Sequence, residues 1–147
     1  MKLMTAAIVA LLVLLTGCGE EVVEKTNEKA QGPTIWIQSD LMKKAKFDVD
    51  AFRDEFLGKT MCAEVEVNHV ENLGAYSPDL KNMVMVISRS PEGGDVTVNF
   101  AAQEGLYDRL RAMMGMRIEI EGRMAGAGTP DGVCQLTFND AKLLRLK

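Results

Sequence analysis

Two stretches of this chain repeat with a period of two, and nothing else in it limits the fold so sharply. Met61, Ala63, Val65 and Val67 alternate with Cys62, Glu64, Glu66 and Asn68; Met116, Ile118, Ile120, Gly122 and Met124 alternate with Arg117, Glu119, Glu121 and Arg123. Successive side chains of a strand point to opposite faces, so each stretch reads as a strand with one buried face. A further strand is expected over Met83 to Ser90, turning through Pro91, Glu92, Gly93 and Gly94 into another at Asp95 to Phe100. Glu104 to Met114 changes period: Leu106, Leu110 and Met113 share a helical face, and Gly115 ends the helix. A Gly and Pro loop, Ala125 to Gly132, leads to a last extended region at Val133 to Phe138, with Ala141 to Leu146 closing the chain.

Ahead of the strands, Ser39 or Asp40 is placed to cap a short helix over Leu41 to Lys46, and Asp48 a second one over Val49 to Leu57 that stops at Gly58. Phe47, Phe52 and Phe56 are expected to form the apolar face that this lead-in lays on the core. Asp48, Asp50, Asp54 and Glu55 lack the spacing and turn glycine of a calcium loop, and read as the solvated side of the second helix.

The first residues address the chain rather than fold it. Lys2 precedes an apolar run from Leu3 to Leu15 broken only by Thr5, and no second charge appears before Glu20. The run is too short to span a bilayer comfortably and has the form of an export signal. It ends in Leu15, Thr16, Gly17 and Cys18, which resemble the lipobox of bacterial lipoproteins. That resemblance implies cleavage before Cys18, a thioether to diacylglycerol on its sulfur, and a membrane anchor. It divides the chain into a signal peptide at 1–17, a lipidated polar tether at 18–33, a helical lead-in at 34–58 and a domain at 59–147. Gly19 after the cysteine, where an inner-membrane retention signal carries Asp, points to the outer membrane, facing the periplasm, in a Gram-negative cell. The tether has Glu20, Glu21, Glu24, Lys25, Glu28 and Lys29 around two valines and closes with Gly32 and Pro33; about 15 flexible residues reach roughly 20 Å.

Three strands, a helix and two strands is the order of the OB-fold, a five-stranded Greek-key barrel with a helix between strands three and four. From Ser39 to the C-terminus the chain resembles the tRNA-anticodon-domain-like OB family of small bacterial envelope proteins. Gly58 and Lys59 opening strand one, and Gly115, Ile118, Ile120 and Gly122 around the helix-to-strand-four junction, carry that likeness. The fold class implied is mainly β with a helical lead-in. The family's cysteine near the last strands is missing from Leu136 to Leu144.

Chemistry is sparse. The chain has one histidine, His69, beside Glu71 at the end of strand one, and neither a nucleophile elbow, a Walker loop nor a zinc motif. No catalytic residue, metal or cofactor is expected. Cys62 and Cys134 remain once Cys18 is lipidated, and an even pair in an exported chain suggests a disulfide. Strict alternation sets them on different faces, which a bulge in strand one would reconcile; two buried thiols are the other reading.

Charge bears on the ligand. The whole chain is at −4, and from Gly58 onward there are ten basic and twelve acidic residues, net −2. OB-folds that bind single strands combine a basic groove with aromatics on strands two and three; here those strands offer Arg89 and Phe100. The expectation is therefore a lipid-anchored, non-enzymatic module that binds a protein, peptide or small envelope ligand. The surface would be the outer face of strands one to three with the loops Glu71 to Asn82 and Ala125 to Gly132. Tyr76 and Trp36 are the candidate contacts, with Trp36 alternatively packing the lead-in onto the barrel. The alternative function is single-stranded nucleic-acid binding, which the acidic balance disfavours.

Overall fold

The computed structural model describes residues 34–80, 83–101 and 103–146. The signal segment, Cys18 and the tether fall at 1–33, outside the described residues. In chain order, β1 (Ile35–Ile37) leads into α1 (Gln38–Phe47) and α2 (Val49–Phe56). Next come β2 (Thr60–Glu66), β3 (His69–Asn72), β4 (Met83–Arg89) and β5 (Asp95–Ala101), followed by α3 (Leu106–Ala112), β6 (Arg117–Gly128) and β7 (Gln135–Leu146). All seven strands form one sheet in the order β1-β2-β6-β7-β5-β4-β3. β1 runs parallel to β2 and β5 parallel to β7, while the other neighbours are antiparallel.

Seven strands replace the five expected, for two reasons. Strand one is broken: β2 pairs with β6 and β3 with β4, and only Val67 and Asn68 lie between them. The Val67 N–H donates to the Met116 carbonyl (2.9 Å) and its carbonyl accepts from Gly115 N–H (2.7 Å), whereas Asn68 N–H donates to Ile87 (3.2 Å). At that joint the chain leaves one neighbour for the other, and the sheet curls so that its two ends meet. The second addition is β1, which the sequence pattern left unassigned because three residues are too few to show a period. With β2 and β3 counted as one strand and β1 set aside, the pairing is that of an OB-fold barrel.

The inner face of the alternation appears as burial, but the outer face of this part of the sheet is covered as well, burying Cys62, Glu64 and Glu119, and Met116, expected inside, is exposed. Met61, Ala63, Val65 and Val67 are at most 7% exposed, and Ile118, Ile120 and Met124 are fully buried. α3 places Leu106 and Leu110 in the same core, followed by Met113. At the start of α2, Asp48 Oδ1 accepts from Ala51 N–H (2.9 Å), the cap the sequence suggests. α1, by contrast, begins at Gln38, with Ile37 at the cap position and no side-chain cap, so neither Ser39 nor Asp40 caps it. Phe52 and Phe56 are buried as expected, but Phe47, the last residue of α1, is 93% exposed. β6 runs on to Gly128 through the stretch expected as loop, because Gly126, Ala127 and Gly128 keep pairing with Thr137, Leu136 and Gln135 across a bulge.

The lead-in is fastened by a buried amide. Gln38 Oε1 accepts from Ser88 Oγ (2.8 Å) and from Glu66 N–H (3.1 Å), tying the start of α1 to β4 and to the end of β2. Met42 of α1 then sits over the β4–β5 hairpin, where Gly94 has φ +113° and a Cβ would come within 2.7 Å of both Met42 Sδ and the Cys134 carbonyl. Only glycine adopts that conformation in that space. Gly94→Ala is expected to cost about 2 kcal/mol or more and lower Tm by roughly 10 °C. Gly126→Ala, which meets nothing within 4 Å, should stay within about 0.5 kcal/mol of the parent in the same thermal melt.

Candidate functional site

The alternation that buries Val84, Val86, Val96 and Val98 turns Met83, Met85, Ile87 and Arg89 of β4, and Asp95, Thr97 and Asn99 of β5, outward. Register then lines these residues up in rows across the sheet. His69, Ile87, Thr97 and Thr137 form one row, and Glu71, Met85 and Asn99 the next, with Asn99 Nδ2 donating to Asn139 Oδ1 (2.8 Å). Arg89 stands opposite Asp95, which pairs with Gln135. The face is half-buried, aliphatic along its middle and lined with neutral hydroxyls and amides, its one arginine facing a carboxylate. Gly126 and Gly128 of β6, opposite Thr137 and Gln135, leave its margin low.

Two loops border it. Residues 73–80 fold as two short turns, Leu73–Ala75 and Pro78–Leu80, opened by Asn72 Oδ1 accepting from Gly74 N–H (3.0 Å). Tyr76 stands 74% exposed there. On the opposite loop, Pro130–Gly132 turns through Asp131 at φ 52° and Gly132 at φ 78°. Tyr76 is thus exposed at the margin of this face. Trp36 lies away from it, its ring packed edge-on against Phe56 with centroids 5.8 Å apart, on the lead-in side of the barrel.

His69 opens β3 with its Nε2 3.0 Å from Glu71 Oε1, both at the surface. Of the four acidic residues noted on the second helix, Asp48 caps it, Asp50 pairs with Arg53 (2.8 Å) and Glu55 with Lys44 (2.9 Å), while Asp54 is exposed. Among the described residues no three side chains gather as a metal site. Sequence reasoning missed Gln38 and Asn68, the two amides that tie the barrel together. A lone Gln or Asn carries no pattern, and only the fold shows what it holds.

Cys62 and Cys134 are both free and buried. Cys62 lies on β2 between Ile35 and Glu121, whereas Cys134 precedes Gln135, whose partner Gly128 is seven residues further along β6. Along an extended strand that is on the order of 20 Å, well beyond a disulfide's reach of about 7 Å. Burial, and then the carboxylates of Glu121 and Glu119, push the Cys62 thiol up. Burial also pushes up Cys134, against the nearby Lys46 ammonium.

No protein-family model matches the chain, and no curated protein does. Solved structures with some likeness include one described as an aspartyl-tRNA synthetase from Leishmania major Friedlin (14% identity, TM-score 0.46, covering 96% of this chain and 26% of that one). Others are the aspartyl-tRNA synthetase from Entamoeba histolytica (12%, TM-score 0.44, 84% and 24%) and the asparaginyl-tRNA synthetase of the same organism with asparaginyl-adenylate (14%, TM-score 0.36, 61% and 21%). The chain thus spans about a quarter or less of the length of these structures.

Both thiols should be slow to react. In a Cys18→Ser chain at pH 8, alkylation by iodoacetamide is expected at least about tenfold slower than in the unfolded chain. Denaturation without reductant should then release two titratable thiols; none would mean a bridge. Because the folded thiols hold their protons to higher pH than unfolded ones, their contribution to stability is complete below about pH 8 and is lost as pH climbs through the raised range.

Proposed function

We propose that this domain is a non-enzymatic binding module, that its ligand lies across the outer rows of β4 and β5 between the 73–80 and 129–134 loops, and that Cys18 tethers it to a bacterial membrane. The observation that carries the binding reading is the row His69, Ile87, Thr97 and Thr137 with its neighbour Glu71, Met85 and Asn99. These residues mix aliphatic surface with hydroxyl and amide donors and acceptors and one carboxylate, Glu71, beside His69, on the face and beside the loops that OB-folds use for ligands. Such a surface suits an uncharged stretch of protein or peptide, or a small envelope ligand. A photo-crosslinker at Ile87 is expected to capture a discrete partner from the envelope, and one at exposed Asp108 on α3 should not. Equal yields from both positions would overturn this site.

A second reading, single-stranded nucleic-acid binding, has its own observation. The face is the one OB-folds offer to oligonucleotides, and Tyr76 stands exposed at its margin as a stacking surface. Three solved structures with some likeness to the chain are named as tRNA synthetases, and an oligonucleotide is a ligand to try. Against it stand the net charge of −2 from Gly58 onward and the single arginine, Arg89, that this face offers, placed by register opposite Asp95. A labelled single-stranded dT oligomer is expected to bind no tighter than about 10⁻⁴ M at physiological salt, the level of non-specific contact. Micromolar binding lost in Ile87→Glu and Tyr76→Ala would replace the first reading with this one.

The anchor rests on Leu15, Thr16, Gly17 and Cys18 after the apolar run. The full chain made in a bacterium should lose residues 1–17, gain acyl mass and partition with membranes. Cys18→Ser should abolish both the added mass and the partitioning; an unmodified soluble parent would remove the tether from this proposal.

A further inference from the structure

Two cavities of about 260 Å³ each open on the flank of the barrel around β2 and β6, on the other side of β7 from the face described above. They share Thr60 and Glu121 as a common wall and so form one trough. One end is apolar, with half-buried Trp36, the buried Phe56 edge-on to it, Met61 and the Cys62 thiol. The other end is polar, over Arg123, Asp140 and Lys142.

The charges of this trough are nearly all answered. Arg123 donates to Asp140 Oδ2 through Nε (3.1 Å) and Nη2 (2.8 Å), and Lys142 Nζ lies 3.9 Å from Glu121. Lys44, whose ammonium sits 5.5 Å from the Trp36 ring centroid, is held by Glu55 at 2.9 Å. Lys59 differs. Its Nζ lies 6.0 Å from the Phe56 ring centroid, and among the described residues it has no carboxylate within ion-pair distance. The trough therefore has one surplus positive charge, beside its aromatic end.

We infer that this trough is a second ligand site, taking a single-ring organic anion whose ring lies along Trp36 and whose anionic group meets Lys59. Apolar walls with a few placed polar groups are what small-molecule sites provide. A cavity of about 260 Å³ falls just under the roughly 300–1,000 Å³ of drug-sized pockets, which limits the ring to one with a short chain. Lys59 is exposed, yet an ammonium meeting an anion whose ring is held by an apolar wall gives a charge-assisted bond, so charge should discriminate between ligands of equal shape. The inference is independent of what the β4 and β5 face binds.

Trp36 is the only tryptophan in the chain and sits in the trough wall, so its emission reports occupancy directly. The full chain is titrated with 3-phenylpropionate and with 3-phenylpropanamide, the same shape without charge. The acid is expected to saturate in the millimolar range natural to a ligand of this size, and the amide to bind at least about tenfold more weakly. Lys59→Gln should bring the acid down to the amide's level, Lys59→Arg should keep the preference, and Ile87→Glu on the distant face should leave it untouched. Equal affinity for acid and amide, a preference that survives Lys59→Gln, or no saturable change in Trp36 emission up to about 20 mM acid would each overturn the assignment.

Discussion

Everything in this barrel depends on a joint of two residues. Val67 and Asn68 carry the chain from the β6 side of the sheet to the β4 side, and both are satisfied as they cross. Val67 is fully buried with its backbone bonded to Gly115 and Met116. The Asn68 side chain donates to Glu66 Oε1 (2.9 Å) and accepts from the Arg89 N–H (2.6 Å). An unpaired polar group there would sit at the closure of the sheet, where each lost bond costs about 1–3 kcal/mol. Gln38 reaches the same region from outside, through Glu66 and Ser88. The lead-in is thus fastened at the barrel's point of closure and does not merely lie on its surface.

That arrangement explains what could be read from residues alone. The inward faces of β2 and β6, the β4–β5 hairpin, the Asp48 cap and the helix ending near Gly115 were legible because each is written as a local period or a local turn. The break in strand one was not, since Val67 and Asn68 continue the alternation without interruption and only the change of neighbour marks them. β1 is held by pairing with β2, a contact 27 residues away in the chain (Ile35 with Cys62), and leaves no local trace. Phe47 shows the limit of reading by residue type. It follows the same composition as Phe52 and Phe56, yet it sits at the last position of α1 and faces water.

The charges follow a similar division. Several cations of the domain have a carboxylate beside them, as in Arg117 with Glu64 (3.3 Å), Arg123 with Asp140 and Lys142 with Glu121. Such pairs contribute little stability at a surface, about 0–1 kcal/mol, but they remove the open positive field that a phosphate backbone would need. What is left on the outer rows of β4 and β5 is partly apolar, with Arg89 opposite Asp95, and beside the lead-in Lys59 stands near the Phe56 ring without a carboxylate of its own among the described residues. Net charge could be counted from the sequence. Which cations were already answered could not, because the partners lie as far apart as 53 residues.

The place of β7 carries a kinetic consequence. It is last in chain order, yet it lies between β6 and β5 near the middle of the sheet. A nascent chain emerging from the ribosome can pair β2 with β6 and form the β3–β4–β5 part of the sheet, the two linked at Val67 and Asn68. The other margin, between β6 and β5, stays open until residues 135–146 have been made. Contacts between segments distant in sequence slow folding, and here the closing of the barrel waits on the strand that comes after all the others described.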